Sequence, residues 1–482
     1  MGFPAAGAVM VGLMIQSTAV TFGAVGTPIL VGVRGGLGGE AFAAELSAAG
    51  LDTRAFLELV TTRAVLIHAV IGTLMPTAMV VMMTRFFGER RSWTEGLSIL
   101  PFALFGGLAF TVPYALTGIL LGPEFPSLLG ALAGLALVTF AARRGFLIPD
   151  DTWDFPRRAS WPDEWVGAMT VGDEGWDTRS ADATGAHATG AQPPAGLSSD
   201  HAVPHADPSG PAGLADSTAG HEQTGHAVAA PAPPRVSTAM AWAPYLVVAG
   251  LLVLSRLSAL PLGEWLTSGL VVSATDILGT GLDATSTPLY LPGTILLVAA
   301  GLTYVLHRMR WPQFRAALGD SARMLLGAGF VLAFTVPMVR VYINSGINTA
   351  GLASMPIAMA EWVASGVGGA WPFFAPMVGA LGAFIAGSNT VSNLMFSEFQ
   401  WGVAQQTALS GAFIIALQAV GAAAGNMIAI HNVVAASATV GLLDREGATL
   451  RKTVLPTAFY VALAGVLGLV GAYWIGTGDL FG

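Results

Sequence analysis

Long apolar runs recur along this chain, separated by short polar or basic loops. A helix needs about 20 apolar residues to span a bilayer, whereas barrel strands are about 10 residues long and alternate in polarity. These runs are too long for strands and do not alternate, so they predict an all-α polytopic membrane protein. They fall near 5–31, 60–83, 97–121, 126–142, 241–258, 286–306, 321–343, 350–369, 371–397, 409–440 and 454–477, with a weaker run at 264–280.

The apolar pattern stops between residues 149 and 236. From about residue 178 the chain is rich in Ala, Gly, Pro, His, Asp, Ser and Thr, with almost no large apolar side chain. Such a segment buries too little surface to offset its ordering entropy, so we predict an acidic, disordered linker over 149–236. It would divide an N-terminal membrane half, 1–148, from a C-terminal half, 237–482.

Composition supports the membrane prediction. Charged residues make up 10% of the chain and hydrophobic residues 54%, against about 25% charged in a typical soluble protein. The net charge of −8 arises in residues 149–235, which hold thirteen acids and four arginines, so it does not indicate a nucleic-acid partner. Cysteine is absent, which excludes thiol catalysis and cysteine metal sites. We expect no cofactor and no resident metal.

Five of the eight histidines lie in the predicted linker. Their irregular spacing favours a compositional bias over a metal site. The five are His187, His201, His205, His221 and His226.

Basic residues in short loops predict the orientation. Arg90 follows the second run, Arg143 the fourth and Arg308 the run at 286–306. Short loops rich in Lys and Arg face the cytoplasm. Counting crossings puts these clusters and the linker on one side, so we predict a cytoplasmic linker and a location in the inner membrane of a prokaryote.

Two apolar runs have polar, glycine-rich centres, at 11–28 and 376–393. Both contain the pattern Ser-x-x-Val-Thr/Ser, which begins at Ser17 and at Ser388. Paired interruptions of this kind are typical of a secondary transporter's binding site, where broken helices present free N–H groups. They predict inverted-repeat-like halves with broken or re-entrant helices. Alternatively, the small polar residues only allow close helix packing. A third polar island, 425–432, predicts a break near Gly425.

The comparison of the two halves shows an imbalance. Within the C-terminal half, about four runs precede the second polar centre, whereas in the N-terminal half none precedes the first. If the halves are repeats, the N-terminal half is expected to be truncated.

Several motifs resemble the L-lactate permease family of bacterial and archaeal transporters. They are Gly2-Phe-Pro, Phe22-Gly-Ala-Val-Gly-Thr-Pro-Ile29, Gly379-Ala-Leu-Gly-Ala-Phe384, Ser392-Asn-Leu-Met-Phe396, Phe399-Gln400, Gly425-Asn-Met-Ile428, His431-Asn-Val-Val-Ala-Ala-Ser-Ala-Thr-Val-Gly441, Arg445-Glu-Gly447 and Leu450-Arg-Lys-Thr453. The resemblance implies uptake of lactate, and often glycolate, with protons across the cytoplasmic membrane.

A 2-hydroxy monocarboxylate needs anion donors beside groups that both donate and accept. We expect backbone N–H groups near Gly23 and Gly387 to bind the carboxylate, and hydroxyl and amide side chains to bind the hydroxyl. The predicted substrate-binding set is Ser17, Thr18, Thr21, Gly23, Gly387, Ser388, Asn389, Thr390, Ser392, Asn393 and Asn426.

Ionisable residues within spans are candidates for proton coupling, because each is costly to insert. His431 lies in the third polar island and is the first choice, with a structural histidine as the alternative. Arg340 would pair with the substrate carboxylate or with Glu361. His68 is a further candidate, or else an interfacial residue about one turn into its helix.

Other functions remain open from the residues alone. Ser, Thr, Asn and backbone oxygens also coordinate sodium, so another small organic anion or sodium coupling is an alternative. An intramembrane enzyme is disfavoured, because the chain lacks the GxSxG, HExxH and phosphate-loop motifs. A purely structural subunit would not need two polar breaks. The expected partners are therefore lactate or glycolate, protons and the lipid bilayer.

Overall fold

The computed structural model describes residues 3–37, 40–48, 50–149, 153–167, 237–256, 260–279, 284–442 and 446–476. Met1–Met169 and Ala239–Gly482 form one compact unit. A second unit, Thr170–Thr238, lies almost wholly outside the described residues, as do the five linker histidines. Both predicted membrane halves therefore belong to the first unit.

Helices account for most of this unit, which confirms the all-α prediction. The first part contains α1 Ala5–Met14, α2 Gln16–Ala19, α3 Gly23–Thr27, α4 Arg34–Gly36, α5 Glu40–Ala48, α6 Thr53–Phe87, α7 Leu100–Leu121 and α8 Pro126–Arg143. The second part contains α9 Thr238–Arg256, α10 Leu262–Ser268, α11 Pro292–Leu306, α12 Trp311–Ile343, α13 Met355–Val367, α14 Trp371–Ala386, α15 Asn389–Gln406, α16 Gly411–Gly425, α17 Ile430–Thr439 and α18 Glu446–Val470.

Short 3-10 and π turns complete the helical segments. The 3-10 turns are Val20–Phe22, Glu95–Ile99, Arg158–Ser160, Asp163–Trp165, Ile277–Gly279, Pro288–Tyr290 and Gly368–Ala370, and the π turns are Pro28–Val33 and Gly471–Ile475.

Seven helical segments in the described residues are long and apolar enough to cross a membrane, so the chain is a multi-pass membrane protein. These are Ala5–Gly36, Thr53–Phe87, Glu95–Leu121, Pro126–Arg143, Met355–Ala386, Gly411–Thr439 and Glu446–Ile475. The weaker run at 264–280 does not form a span. Instead α10 is followed by a small antiparallel pair, β1 Val272–Ala274 and β2 Ala284–Ser286. Gly, Ser, Thr and Asp are frequent there and favour turns over a continuous helix.

The core is built around α16, whose fifteen residues are all buried. A helix that is apolar all round belongs at the centre of a bundle. Small residues let its neighbours approach closely: a Cβ on Gly421 would overlap the carbonyl of Pro376 in α14, and one on Gly425 would overlap that of Ala380. Close packing of this kind is what holds helices together in lipid.

The first part of the predicted linker is packed, contrary to the expectation of disorder. Trp165 is buried, and its ring lies 5.0 Å from that of Phe87, while Trp153 and Phe155 pack against the main core cluster. The aromatic residues of 153–167 supply apolar area that the sequence beyond 178 lacks. Residues 153–167 therefore pack as part of the membrane unit.

Candidate functional site: two helix breaks joined by a buried polar network

The first span is interrupted between Phe22 and Pro28. Ala24, Val25 and Gly26 all adopt left-handed backbone conformations, with φ of 45°, 60° and 72°. Carbonyls just before the break lose their usual helical partners. The carbonyl of Thr18 accepts from the Tyr114 hydroxyl at 2.8 Å, and that of Ala19 accepts from Ser127. The predicted break is therefore present, and side chains from α7 and α8 cap its upstream end.

The second break separates α14 from α15. Gly387 adopts a left-handed conformation with φ of 63°, and Ser388 is extended and caps α15 by accepting from the N–H of Val391. The predicted third break is also present, because α16 ends at Gly425 and α17 begins at Ile430. Glycine is suited to the position at Gly387 because a Cβ there would overlap the ring of His431.

The segment after the first break packs directly on α15. A Cβ on Gly32 would lie 2.7 Å from the carbonyl oxygen of Thr390, and one on Gly36 would lie 2.6 Å from that of Leu394. The amide of Asn393 donates to the carbonyl of Pro28 at 3.1 Å. The tertiary structure thus brings the two polar centres, more than 350 residues apart in sequence, into contact.

A chain of hydrogen bonds runs between the breaks through Thr21. Its Oγ1 lies 2.8 Å from Nε2 of His68, 3.3 Å from the amide nitrogen of Asn389 and 3.2 Å from the carbonyl of Ala419. Asn393 extends the chain by donating to Oδ1 of Asn389 at 2.8 Å. All four polar side chains are buried. The arrangement is an uncharged network that spans three separate helical segments.

On the other side of His68 the network reaches the last span. Nδ1 of His68 lies 2.6 Å from the hydroxyl of Tyr460, which lies 3.2 Å from Oγ1 of Thr18. His68 is fully buried and lies fifteen residues into α6, because this helix begins at Thr53. His68 is therefore not about one turn from the start of its helix, because α6 begins before the apolar run at 60–83.

The N–H groups of Gly23 and Gly387 do not serve as free anion donors. Gly23 follows the 3-10 turn Val20–Phe22 and Gly387 follows α14, and their N–H groups donate back to the carbonyls of Val20 and Ala383. Free N–H groups occur instead where a helix begins. In α15, Ser388 accepts from Val391 and Ser392, which leaves the N–H groups of Asn389 and Thr390 for a ligand.

Other predicted substrate residues fall in and around this site. Thr390 is half-buried near Gly32, whereas Ser392 is buried and donates to the carbonyl of Gly379. Ser17 donates to the carbonyl of Met14, the last residue of α1. Asn426 lies at the third break, with its Oδ1 buried and unpartnered. The hydroxyl groups of Ser17 and Ser392 therefore already donate to carbonyl groups of the protein.

Of the predicted coupling residues, only His68 and His431 contact the breaks. His431 is exposed, and its Nε2 lies 2.6 Å from the carbonyl of Gly387. Arg340 and Glu361 are exposed, and no ion pair joins them within the described residues. Pairing of Arg340 with Glu361 is therefore not observed.

Several polar residues of the core escaped the sequence prediction. Trp371 donates to Oε1 of Gln400, Gln400 donates to Oε1 of Gln418, and Gln418 donates to the hydroxyl of Ser392, at 2.8, 2.9 and 3.1 Å. Tyr460 and Tyr114 were also missed. A lone amide in the otherwise apolar α16 was the available indication for Gln418.

The described residues contain no cluster of three or more His, Asp or Glu side chains suited to a metal ion. The donors and acceptors of the network around Thr21 are hydroxyls, amides, backbone groups and the imidazole of His68. Such a set suits a small polar anion held at a helix N-terminus.

The chain is similar in sequence to known proteins of one family. The sequence model described as L-lactate permease matches residues 1–165 and 235–475. The chain is 33% identical over 186 residues to the L-lactate permease of Escherichia coli K12, covering 38% of this chain and 31% of that protein. It is 34% identical over 149 residues to a glycolate permease of the same organism, covering 31% and 24%.

A more distant relative is the L-lactate permease of Bacillus subtilis, 27% identical over 175 residues, or 36% of this chain and 30% of that protein. Each of these matches spans less than a third of the relative's length. No solved structure matches the chain. The family match covers both sides of the linker and includes all three helix breaks, and the chain belongs to the L-lactate permease family.

Proposed function

We propose that this chain is a secondary transporter that imports L-lactate, glycolate and related 2-hydroxy monocarboxylates together with protons. The main support for this proposal is the contact between two broken helices through buried Thr21, Asn389 and Asn393. Relatives named as lactate and glycolate permeases support the substrate class. In this proposal the protein is a transporter rather than an enzyme, lies in the inner membrane of a prokaryote and keeps its linker in the cytoplasm.

The N-terminus of α15 would bind the substrate carboxylate. The N–H groups of Asn389 and Thr390 are free there, and Thr390 is only half-buried. A helix N-terminus favours an anion without a cationic side chain, because its N–H groups and its dipole both attract negative charge.

Asn393 would bind the substrate hydroxyl. Its amide nitrogen donates to two acceptors, the carbonyl of Pro28 and Oδ1 of Asn389, so the amide cannot be flipped without opposing oxygen to oxygen. Its Oδ1 is buried and has no partner. A buried acceptor without a donor is costly, and a substrate hydroxyl would satisfy it. This residue would therefore favour lactate and glycolate over simple carboxylates.

Transport is tested with labelled L-lactate and proteoliposomes that contain the full chain. An acid exterior should drive accumulation, glycolate should compete, and replacement of sodium by potassium should have no effect. Accumulation that follows a sodium gradient and ignores the proton gradient would favour the alternative of sodium coupling.

The residue assignment is tested with Asn393→Ala. We expect at least a tenfold loss of lactate affinity and little change in competition by propionate, which lacks the hydroxyl. Asn344→Ala, at a half-buried asparagine that bonds the carbonyl of Arg340, is the matched control. Unchanged lactate affinity in Asn393→Ala, at normal expression, would contradict the proposed hydroxyl site.

A further inference from the structure

We infer that His68 holds the proton that is taken up with the substrate, and that the bound carboxylate compensates the charge of its imidazolium. This inference rests on the proposed function. The coupling residue is then the fully buried His68 between the two breaks and not the exposed His431.

The hydrogen bonds around His68 define which nitrogen is free to accept a proton. We assign the hydroxyl proton of Thr21 to the hydrogen bond with the carbonyl of Ala419, so that Thr21 accepts from Nε2–H of His68. In the neutral ring Nδ1 then accepts from the Tyr460 hydroxyl, which in turn accepts from Thr18. When Nδ1 gains a proton, it becomes a donor, and the hydroxyls of Tyr460 and Thr18 rotate so that the chain stays paired.

Within the described part of the chain, no countercharge lies against His68. Neither Ala5–Ala19 nor α16 contains an ionisable residue, and α7 and α18 present Tyr114 and Tyr460. On α6 the nearest charged residue is Arg63, which lies on another side of the helix. On other segments packed against α6, Glu45 contacts Gln405 and Glu95 contacts Arg90. Lys452 of α18 lies over the rings of Phe86 and Phe87 at the end of α6, far along the helix from His68.

An isolated imidazolium in this position is unfavourable, because a buried charge needs a partner. The nearby N-terminus of α15 adds to the cost while it is empty, because its dipole end is positive. One hydroxyl, that of Thr21, separates Nε2 of His68 from the amide of Asn389 at this N-terminus. A bound carboxylate would reverse the local field and stabilise protonated His68. By linkage, the proton would stabilise the bound anion to the same extent.

The inference is tested by counting protons. Sodium L-lactate is added near neutral pH to the purified full chain in weakly buffered detergent that contains a pH-indicator dye. Lactate is already ionised there, so any proton taken up goes to the protein. We expect about one proton per lactate bound and a lactate affinity that rises about tenfold for each unit of acidification. His68→Gln should bind lactate more weakly, with no proton uptake and no pH dependence.

Two controls separate His68 from other histidines. His307→Gln, outside the network, should behave as the wild type, and His431→Gln should retain proton uptake. If His68→Gln still takes up a proton, or if His431→Gln alone abolishes uptake, the inference is overturned.

A second variant covers a failure of His68→Gln to fold. Tyr460→Phe keeps the ring but removes the acceptor that Nδ1–H needs in the protonated state. Proton uptake should then require a lower pH, and an unchanged pH profile would contradict the inference. If lactate protects the wild type from heat without proton uptake, only the role of His68 fails. If lactate neither binds nor protects, the proposed substrate fails.

Discussion

At the scale of single residues, Thr21 holds the site together. Its one hydroxyl contacts the imidazole of His68, the amide of Asn389 and a carbonyl of α16. These groups come from three separate helical segments, so the residue links the first break, α6 and the second break. Each contact is an ordinary hydrogen bond, but the loss of the hydroxyl would leave several buried groups unpaired at once.

Replacement of this hydroxyl by a methyl group is therefore expected to destabilise the protein. We predict that Thr21→Val lowers the free energy of unfolding by about 1–3 kcal/mol, because buried groups lose a partner at unchanged volume. Thr117→Val is the matched control, because Thr117 bonds only carbonyls of its own helix. The free energy of unfolding of the two variants is measured in detergent. Equal losses in the two variants would show that Thr21 has no special role.

At the scale of elements, the close crossing of Pro28–Val33 and α15 positions the two breaks. Gly32 faces the backbone of Thr390 without space for a methyl group, whereas Gly12 in the same span has no neighbour near its missing Cβ. The crossing therefore requires glycine at position 32.

We predict that Gly32→Ala forces the two segments apart. Overpacking of this kind costs about 1–3 kcal/mol, and it would also separate Asn393 from Pro28, so lactate uptake should fall strongly. Gly12→Ala should be neutral or stabilise by up to about 1 kcal/mol, because alanine favours a helix. Thermal unfolding and uptake are measured on both. A Gly32→Ala protein with normal uptake would contradict this view of the crossing.

The second break offers a test by double substitution. Gly387→Ala places a Cβ into the ring of His431 and should abolish uptake. His431→Ala in the same protein removes the overlap and leaves only the strain of a left-handed alanine, about 1–2 kcal/mol. We predict partial recovery of uptake and thermal stability in the double variant. No recovery would show that the backbone conformation alone, rather than the contact with His431, excludes a side chain at Gly387.

At the scale of the whole molecule, the ordered residues 153–167 join the membrane unit. Trp165 packs on Phe87 at the end of α6, and Phe155 packs on Phe3 near the start of the first span. This short segment ties the end of α6 to the beginning of the chain.

Trp165→Ala should therefore reduce the stability of the whole unit. The loss of a buried tryptophan typically costs about 3–5 kcal/mol. Trp242→Ala, at a ring that is 44% exposed, should cost far less. Midpoints of thermal unfolding in detergent compare the two variants. If they are equally affected, the segment 153–167 does not contribute to the stability of the membrane unit.

The sequence by itself determined the membrane class, most of the apolar helices and all three helix breaks. Spanning length and the absence of alternation are local properties, and a glycine-rich polar centre in an apolar run marks a break whatever its surroundings. The repeat relation between the halves and the incomplete N-terminal half stay predictions. The resemblance to the L-lactate permease family was likewise readable from short motifs and is confirmed.

Only the tertiary structure decided which polar residues meet. Thr21, His68, Asn389 and Tyr460 lie far apart in sequence, and their contacts depend on how the helices cross. It also showed that the N–H groups of Gly23 and Gly387 are paired, whereas those of Asn389 and Thr390 are free. Local sequence predicts where a helix breaks, but the partners of each broken end are set by long-range packing, which residue spacing does not encode.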